Sequence, residues 1–247
     1  MLATFCLRLA CGLTAALVLL SPAQVNPRFY RTHFLTALGL ALVAALFSAA
    51  EESPWYWGFL GAGAVLALLG SLAWMLEGAP AGRPLIVLTA GALAAALALG
   101  DLPPGEDPGA AWRLADDFSS AALLGSVTTA MLMGHSYLIA PAMSLTPLLR
   151  LLAALFGSLL LRLAVAVVGL WYWTADPARV NLETALWLVP RWGLGLVGPL
   201  VLGWMAWETA RIRSTQSATG ILYVVVIFCF LGELTSQLLL ARVGFPM

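Results

Sequence analysis

The chain has 247 residues, of which 62% are apolar and 10% charged, and its twelve basic residues balance twelve acids. A water-soluble domain carries about 25% charged residues, so this composition excludes one, and a formal net charge of zero gives no ground for a nucleic-acid partner. Every basic residue is Arg.

A helix needs roughly 20 apolar residues to cross a hydrocarbon core of about 30 Å. Stretches of that kind cover 3–20, 34–50, 55–76, 85–101, 118–140, 148–173, 185–207 and 219–240. Turn residues lie between most of them: Ser21-Pro22, Ser53-Pro54, Gly82-Arg83-Pro84, Pro103-Pro104-Gly105 and Asp176-Pro177. In lipid a helix satisfies every backbone group within its own segment, and the alternating pattern of a membrane barrel is missing. The expectation is an all-α, polytopic integral membrane protein with about eight transmembrane helices in a single transmembrane domain, 1–247.

The first span resembles a signal peptide, with Ser21-Pro22-Ala23 as a small-x-small cleavage site. Arg8 interrupts its apolar region, however, and cleavage would leave Arg28 and Arg31 outside, so it is read as a retained span. Cys6, Cys11 and Cys229 are too scattered for a metal or redox motif and read as small core residues.

Arg placement sets the expected orientation. The odd-numbered connections carry Arg28, Arg31, Arg83, Arg150, Arg211 and Arg213, six in all, against Arg113 and Arg179 in the even ones. By the positive-inside rule the odd connections are cytoplasmic and both termini lie outside. The even connections hold most of the acids: Glu51, Glu52, Asp101, Glu106, Asp107, Asp116, Asp117, Asp176 and Glu183. Arg8 and Arg242, near the termini, run against this assignment. Most of the ten Trp fall near the ends of spans, where aromatic rings anchor helices at headgroup level.

The two halves share weak similarities in the same order. Leu20-Ser21-Pro22-Ala23 matches Ile139-Ala140-Pro141-Ala142, with Arg31 and Arg150 at the same distance beyond each Pro. Gly70-Ser71-Leu72-Ala73-Trp74-Met75-Leu76-Glu77 resembles Gly203-Trp204-Met205-Ala206-Trp207-Glu208, and Leu99-Gly100-Asp101-Leu102 resembles Leu231-Gly232-Glu233-Leu234. These matches suggest a parallel 4+4 repeat, with halves 1–102 and 118–240 joined by an acidic outer loop, 103–117, and forming two four-helix bundles. Chance matches in a Leu-, Ala- and Gly-rich sequence are the competing explanation.

Charges inside a hydrocarbon core are costly and mark function by default. Arg162 falls midway along the sixth span, Arg191 early in the seventh, and Glu233 past the middle of the eighth; by depth Glu233 can pair with either Arg. Such a pair would gate a path or relay a proton, or else serve as a structural ion pair. Gly193, Gly195, Gly198, Pro190 and Pro199 make the seventh span kinked and closely packed.

A second constellation lies toward the expected inner face. His135, Ser136 and Tyr137 close the fifth span, Arg150 opens the sixth, and Arg213 and Gln216 belong to a polar run that leads into the eighth. Ser214, Ser217 or Thr219 would cap that helix, and a helix N-terminus beside Arg213 suits a lipid phosphate, an anion or a quinone carbonyl. An inner loop touching lipid headgroups is the structural alternative. His33 and His135 are the two histidines; they allow a bis-His haem b by depth, with no spacing rule in support.

Nucleotide-binding, metalloprotease and serine-hydrolase motifs do not occur. Three expectations remain. The first is a subunit of a redox or electron-transfer assembly in a bacterial-type inner membrane, binding a quinone or other lipophilic head group, with membrane lipids and other subunits as partners. In outline alone, with none of that family's motifs, it is similar to quinol-interacting anchor subunits of the polysulfide-reductase type. The second is a secondary transporter or permease using Arg162, Arg191 and Glu233. The third is a non-catalytic scaffold.

Overall fold

A computed structural model of the chain describes residues 1–49, 52–76, 81–100, 109–140, 143–175 and 182–243. Among them the α-helices are, in chain order, α1 (Leu2–Ala16), α2 (Pro27–Phe47), α3 (Pro54–Ala73), α4 (Gly82–Gly100), α5 (Ala110–Ile139), α6 (Thr146–Thr174), α7 (Leu182–Trp192), α8 (Gly198–Arg211) and α9 (Thr215–Val243). A 3-10 turn, Leu17–Leu19, continues α1, and a π-helical turn, Gly193–Val197, links α7 to α8. Taking each of these as one span, eight helices are long and apolar enough to cross a membrane, and the described residues form no strand. The chain is a multi-pass, all-helical membrane protein.

Local chemistry sets where the helices start. The Asn26 side chain accepts a hydrogen bond from the Arg28 amide at 2.9 Å, with Pro27 at the first helical position. Ser53 does the same for the Tyr56 amide at 3.2 Å, ahead of Pro54. Both follow the preference for Asn or Ser at the cap and Pro just inside. α2 therefore starts at Pro27 rather than 34, and Arg28 and Arg31 lie on its first turns instead of in a loop.

The fifth span departs most from expectation. α5 begins at Ala110, so residues 110–117 of the expected outer loop are helical, and Asp116 and Asp117 are buried. Hydropathy assigns two adjacent carboxylates to water; their partner inside the protein reverses that assignment. Asp101, Glu106, Asp107 and the Pro103-Pro104-Gly105 turn lie outside the described residues, as do Glu51, Pro141, Ala142, Asp176, Pro177 and Arg179. α9 begins at Thr215, which places Ser214 at the cap position and Ser217 and Thr219 within the helix.

The chain divides into two compact units, 1–129 and 130–247, and the division falls inside α5. In the first unit α1 neighbours α2 and α4, and α3 neighbours the same two, so α1–α4 close into a ring. The first part of α5 joins at α1, where Gly12 meets the backbone of Ala121 and Gly125 with no room for a Cβ. In the second unit α9 lies against α7, the π turn and α8, and α6 packs on α8. Here Gly195 and Gly232 meet backbone to backbone.

Many exposed positions are apolar, and the core holds charge. Leu46 is 80% exposed and Ile139 77%, whereas Arg8, Arg162 and Arg191 are at most 1% exposed. That inversion suits lipid, where apolar side chains face the solvent and a charge is tolerable only beside its partner.

Candidate functional site: two buried ion-pair centres

In the second unit three helices converge on one carboxylate. Arg162 on α6 grips Glu233 on α9 with both edges of its guanidinium, Nε donating to Oε1 at 2.8 Å and Nη2 to Oε2 at 2.9 Å. The same Nη2 donates to Ser236 Oγ at 3.1 Å, one turn along α9. Arg191, at the end of α7, donates from Nη1 to Glu233 Oε1 at 3.0 Å. This two-pronged geometry is the strong form of an Arg–carboxylate bond. The three charges are fully buried.

Backbone features place Arg191. Pro190 has no amide hydrogen to give to the helix ladder, and the π turn begins three residues later. A π turn carries an extra residue per turn and recurs at functional sites. It sets Gly195 against Gly232, next to Glu233, so the α9 backbone approaches the broken span as closely as two helices can. Gln237, one turn beyond Glu233, is also buried, and neither atom of its amide has a hydrogen-bond partner among the described residues.

The first unit holds a second centre that sequence reasoning missed. Arg8 on α1 donates from Nε to Asp117 Oδ1 at 2.6 Å and from Nη2 to Asp116 Oδ2 at 2.7 Å. Gly12, one turn after Arg8, forms the close crossing with α5. The available signal is Arg8 itself, an Arg in an apolar span like Arg162. Over the described residues the buried charges comprise Arg8, Arg162 and Arg191 against Asp116, Asp117 and Glu233, and they sum to zero. Burying an ion costs several kcal/mol even after relaxation, by about the amount a well-made pair returns.

The expected inner-face residues are more dispersed. His135 is exposed and has one polar neighbour, Tyr223 Oη at 3.5 Å from Nδ1. Ser136 donates to the Leu132 carbonyl at 3.0 Å, and Tyr137 is buried and donates to the Ser144 carbonyl at 2.5 Å. Arg150, Arg213 and Gln216 are exposed. No hydrogen bond joins these six residues to one another among the described residues. Arg213 stands at φ 61°, in the left-handed region. Its amide donates to the Ala210 carbonyl at 2.9 Å and the Ser214 amide to Thr209 at 3.0 Å, the helix-closing pattern that usually carries Gly at this position. His33 is buried in the first unit, its Nδ1 donating to the Phe29 carbonyl at 2.9 Å.

No protein-family model, no curated protein and no solved structure matches this chain.

Proposed function

We propose that the protein is a secondary transporter whose working residues are Arg162, Arg191 and Glu233. The observation that carries this reading is the placement of the buried three-charge junction beside an interrupted span. Glu233 bridges α6 and α7 at the point where Pro190 and the π turn break the seventh span. Interrupted helices beside intramembrane charges are where transporters bind substrate and coupling ions. Movement of α7 relative to α6 must break or exchange one of the two Arg–Glu233 contacts, and an exchangeable carboxylate is suited to carrying a proton. The buried Gln237 amide adds a polar group on the same helix.

The reading includes an inner-membrane location with both termini outside, and a parallel duplication of the two halves. It is tested by reconstituting the protein in liposomes loaded with a pH-sensitive dye and screening small carboxylates and neutral solutes for coupled proton movement. Flux in the wild type that Glu233→Gln abolishes, with an unchanged helical spectrum, supports it. Equal flux in that variant, or none with any solute, counts against it.

A second reading, an electron-transfer subunit that binds a quinone, rests on the exposed His135–Tyr223 pair and on Arg213, held in a conformation that costs an ordinary residue energy. An absorption spectrum and lipid-extract mass spectrometry on gently purified protein test it: bound quinone or haem supports it, and a colourless, quinone-free sample sets it aside.

A further inference from the structure

In the second unit α7 is a short helix of 11 residues whose main helical neighbour is α9. Glu183, Trp187 and Arg191 recur at every fourth residue, so they share one face of α7. Leu182, Leu186 and Val189 are exposed on the opposite side, which in a bilayer meets acyl chains.

All three residues of the first face engage charges on α9. Glu183 pairs with Arg242. The same Arg242 guanidinium stands over the Trp187 ring, 6.0 Å from its centre, at the limit of a cation–π contact. Arg191 donates to Glu233 at 3.0 Å. The two helices therefore run antiparallel, fastened at both ends of α7. The fastenings differ in environment: Arg191 and Glu233 are fully buried, whereas Glu183 and Arg242 are exposed. An exposed pair contributes little, while a buried pair is costly to break. The weak fastening is at the Glu183 end and the strong one at the Arg191 end.

Beyond Arg191 the backbone can bend. Pro190 removes a ladder bond. Gly193 opens the π turn, and a Cβ there would meet open space. Gly195, two residues on, is pinned against Gly232. A pivot is thus set between a free backbone position and a fixed one.

We propose that α7 is a gate beside the Arg162–Glu233–Arg191 junction, pivoting at the π turn and latched by Arg242 on Glu183 and Trp187. Its purpose rests on the transporter reading; its motion rests on the α7–α9 geometry alone. The latch opens first because its pair is the weaker. Tilting α7 then draws Arg191 away from Glu233, while Arg162 keeps its two-pronged hold, so the buried carboxylate is uncovered without losing its last cation.

The test places nitroxide labels at Leu186→Cys and Val201→Cys, exposed positions on either side of the π turn, in the full chain in nanodiscs. Pulsed electron resonance reads their separation, and the native cysteines are buried away from the reagent. The open population, a second distance, should rise about two- to fivefold in Glu183→Gln and in Arg242→Gln, the scale of one exposed ion pair. The swap of Glu183→Arg with Arg242→Glu should return the wild-type distribution. Unchanged distances in both single variants, or a swap that opens as far as they do, would overturn the latch. In liposomes, Glu183→Cys with Arg242→Cys, joined by a disulfide, should stop flux until reduced. Flux unaffected by that bond would overturn the gate, whereas no flux in the wild type would remove the transporter reading and leave the distances to decide the latch.

Discussion

In residues 1–129 one Arg is held by two carboxylates; in residues 130–247 one carboxylate is held by two Arg. The first centre ties α1 to α5, because Asp116 and Asp117 are consecutive on α5 and one fork from α1 reaches both. The second joins three helices, one of which ends in a Pro and a π turn. The same chemistry thus makes a clasp in one place and a junction in the other. A clasp between two regular helices resists change, whereas a junction on an interrupted helix has a second Arg ready when one contact opens. Both centres lie about a turn from a glycine crossing, Gly12 with Gly125 and Gly195 with Gly232.

The largest expected effect comes from removing the central charge of each centre. Arg8→Ala leaves two carboxylates together and Glu233→Ala leaves two guanidinium groups, and each should cost about 3–5 kcal/mol of unfolding free energy. Detergent-titration unfolding in mixed micelles measures this; a loss under about 1 kcal/mol in either variant would show that its centre does not hold the fold. Within the junction, Arg162→Gln should cost about 1–2 kcal/mol more than Arg191→Gln, because Arg162 makes the two-pronged contact and also bonds Ser236. Equal losses would indicate that the two Arg are interchangeable in the resting state.

The glycine crossings come next. Gly12→Ala and Gly232→Ala each set a Cβ into opposing backbone and should cost about 1–3 kcal/mol. Gly157→Ala, which meets open space, should be neutral or gain up to about 1 kcal/mol from helix propensity. Thermal melts of the three variants side by side test whether close approach, rather than helix propensity, sets the cost. Arg213→Gly should raise stability by about 1 kcal/mol by relieving the left-handed backbone, and the melt of that variant checks it. The smallest effect belongs to the exposed Glu208–Arg211 pair at 3.4 Å, where Glu208→Gln should move stability by less than about 0.5 kcal/mol in the same melts.

The spans could be read from hydropathy because each depends on a local run of residues. Boundaries were read less well wherever polar residues belong to a helix: Arg28 and Arg31 follow an Asn-Pro cap, and Asp116 and Asp117 sit in the second turn of α5. Intramembrane Arg162, Arg191 and Glu233 could be picked out as charges in apolar runs. Arg8 carries the same signal, but its partners lie beyond the apolar run of α5, where hydropathy places them in a loop. The inner-face group around His135, Arg150 and Arg213 was assembled from predicted depth alone. Depth does not specify which way a side chain turns, and Tyr137 turns inward to Ser144 while His135, Arg150 and Arg213 stay exposed.

From sequence alone, this chain is determined to be a membrane protein of eight helical spans, since length and apolarity are properties of each segment and lipid leaves the backbone no alternative to the helix. Which charges meet was decided only by tertiary structure. Arg8 and Asp117 are 109 residues apart and Arg162 and Glu233 are 71 apart. Over such separations the pairing depends on which helices cross, and the crossings are placed by glycines whose significance appears only when two backbones touch.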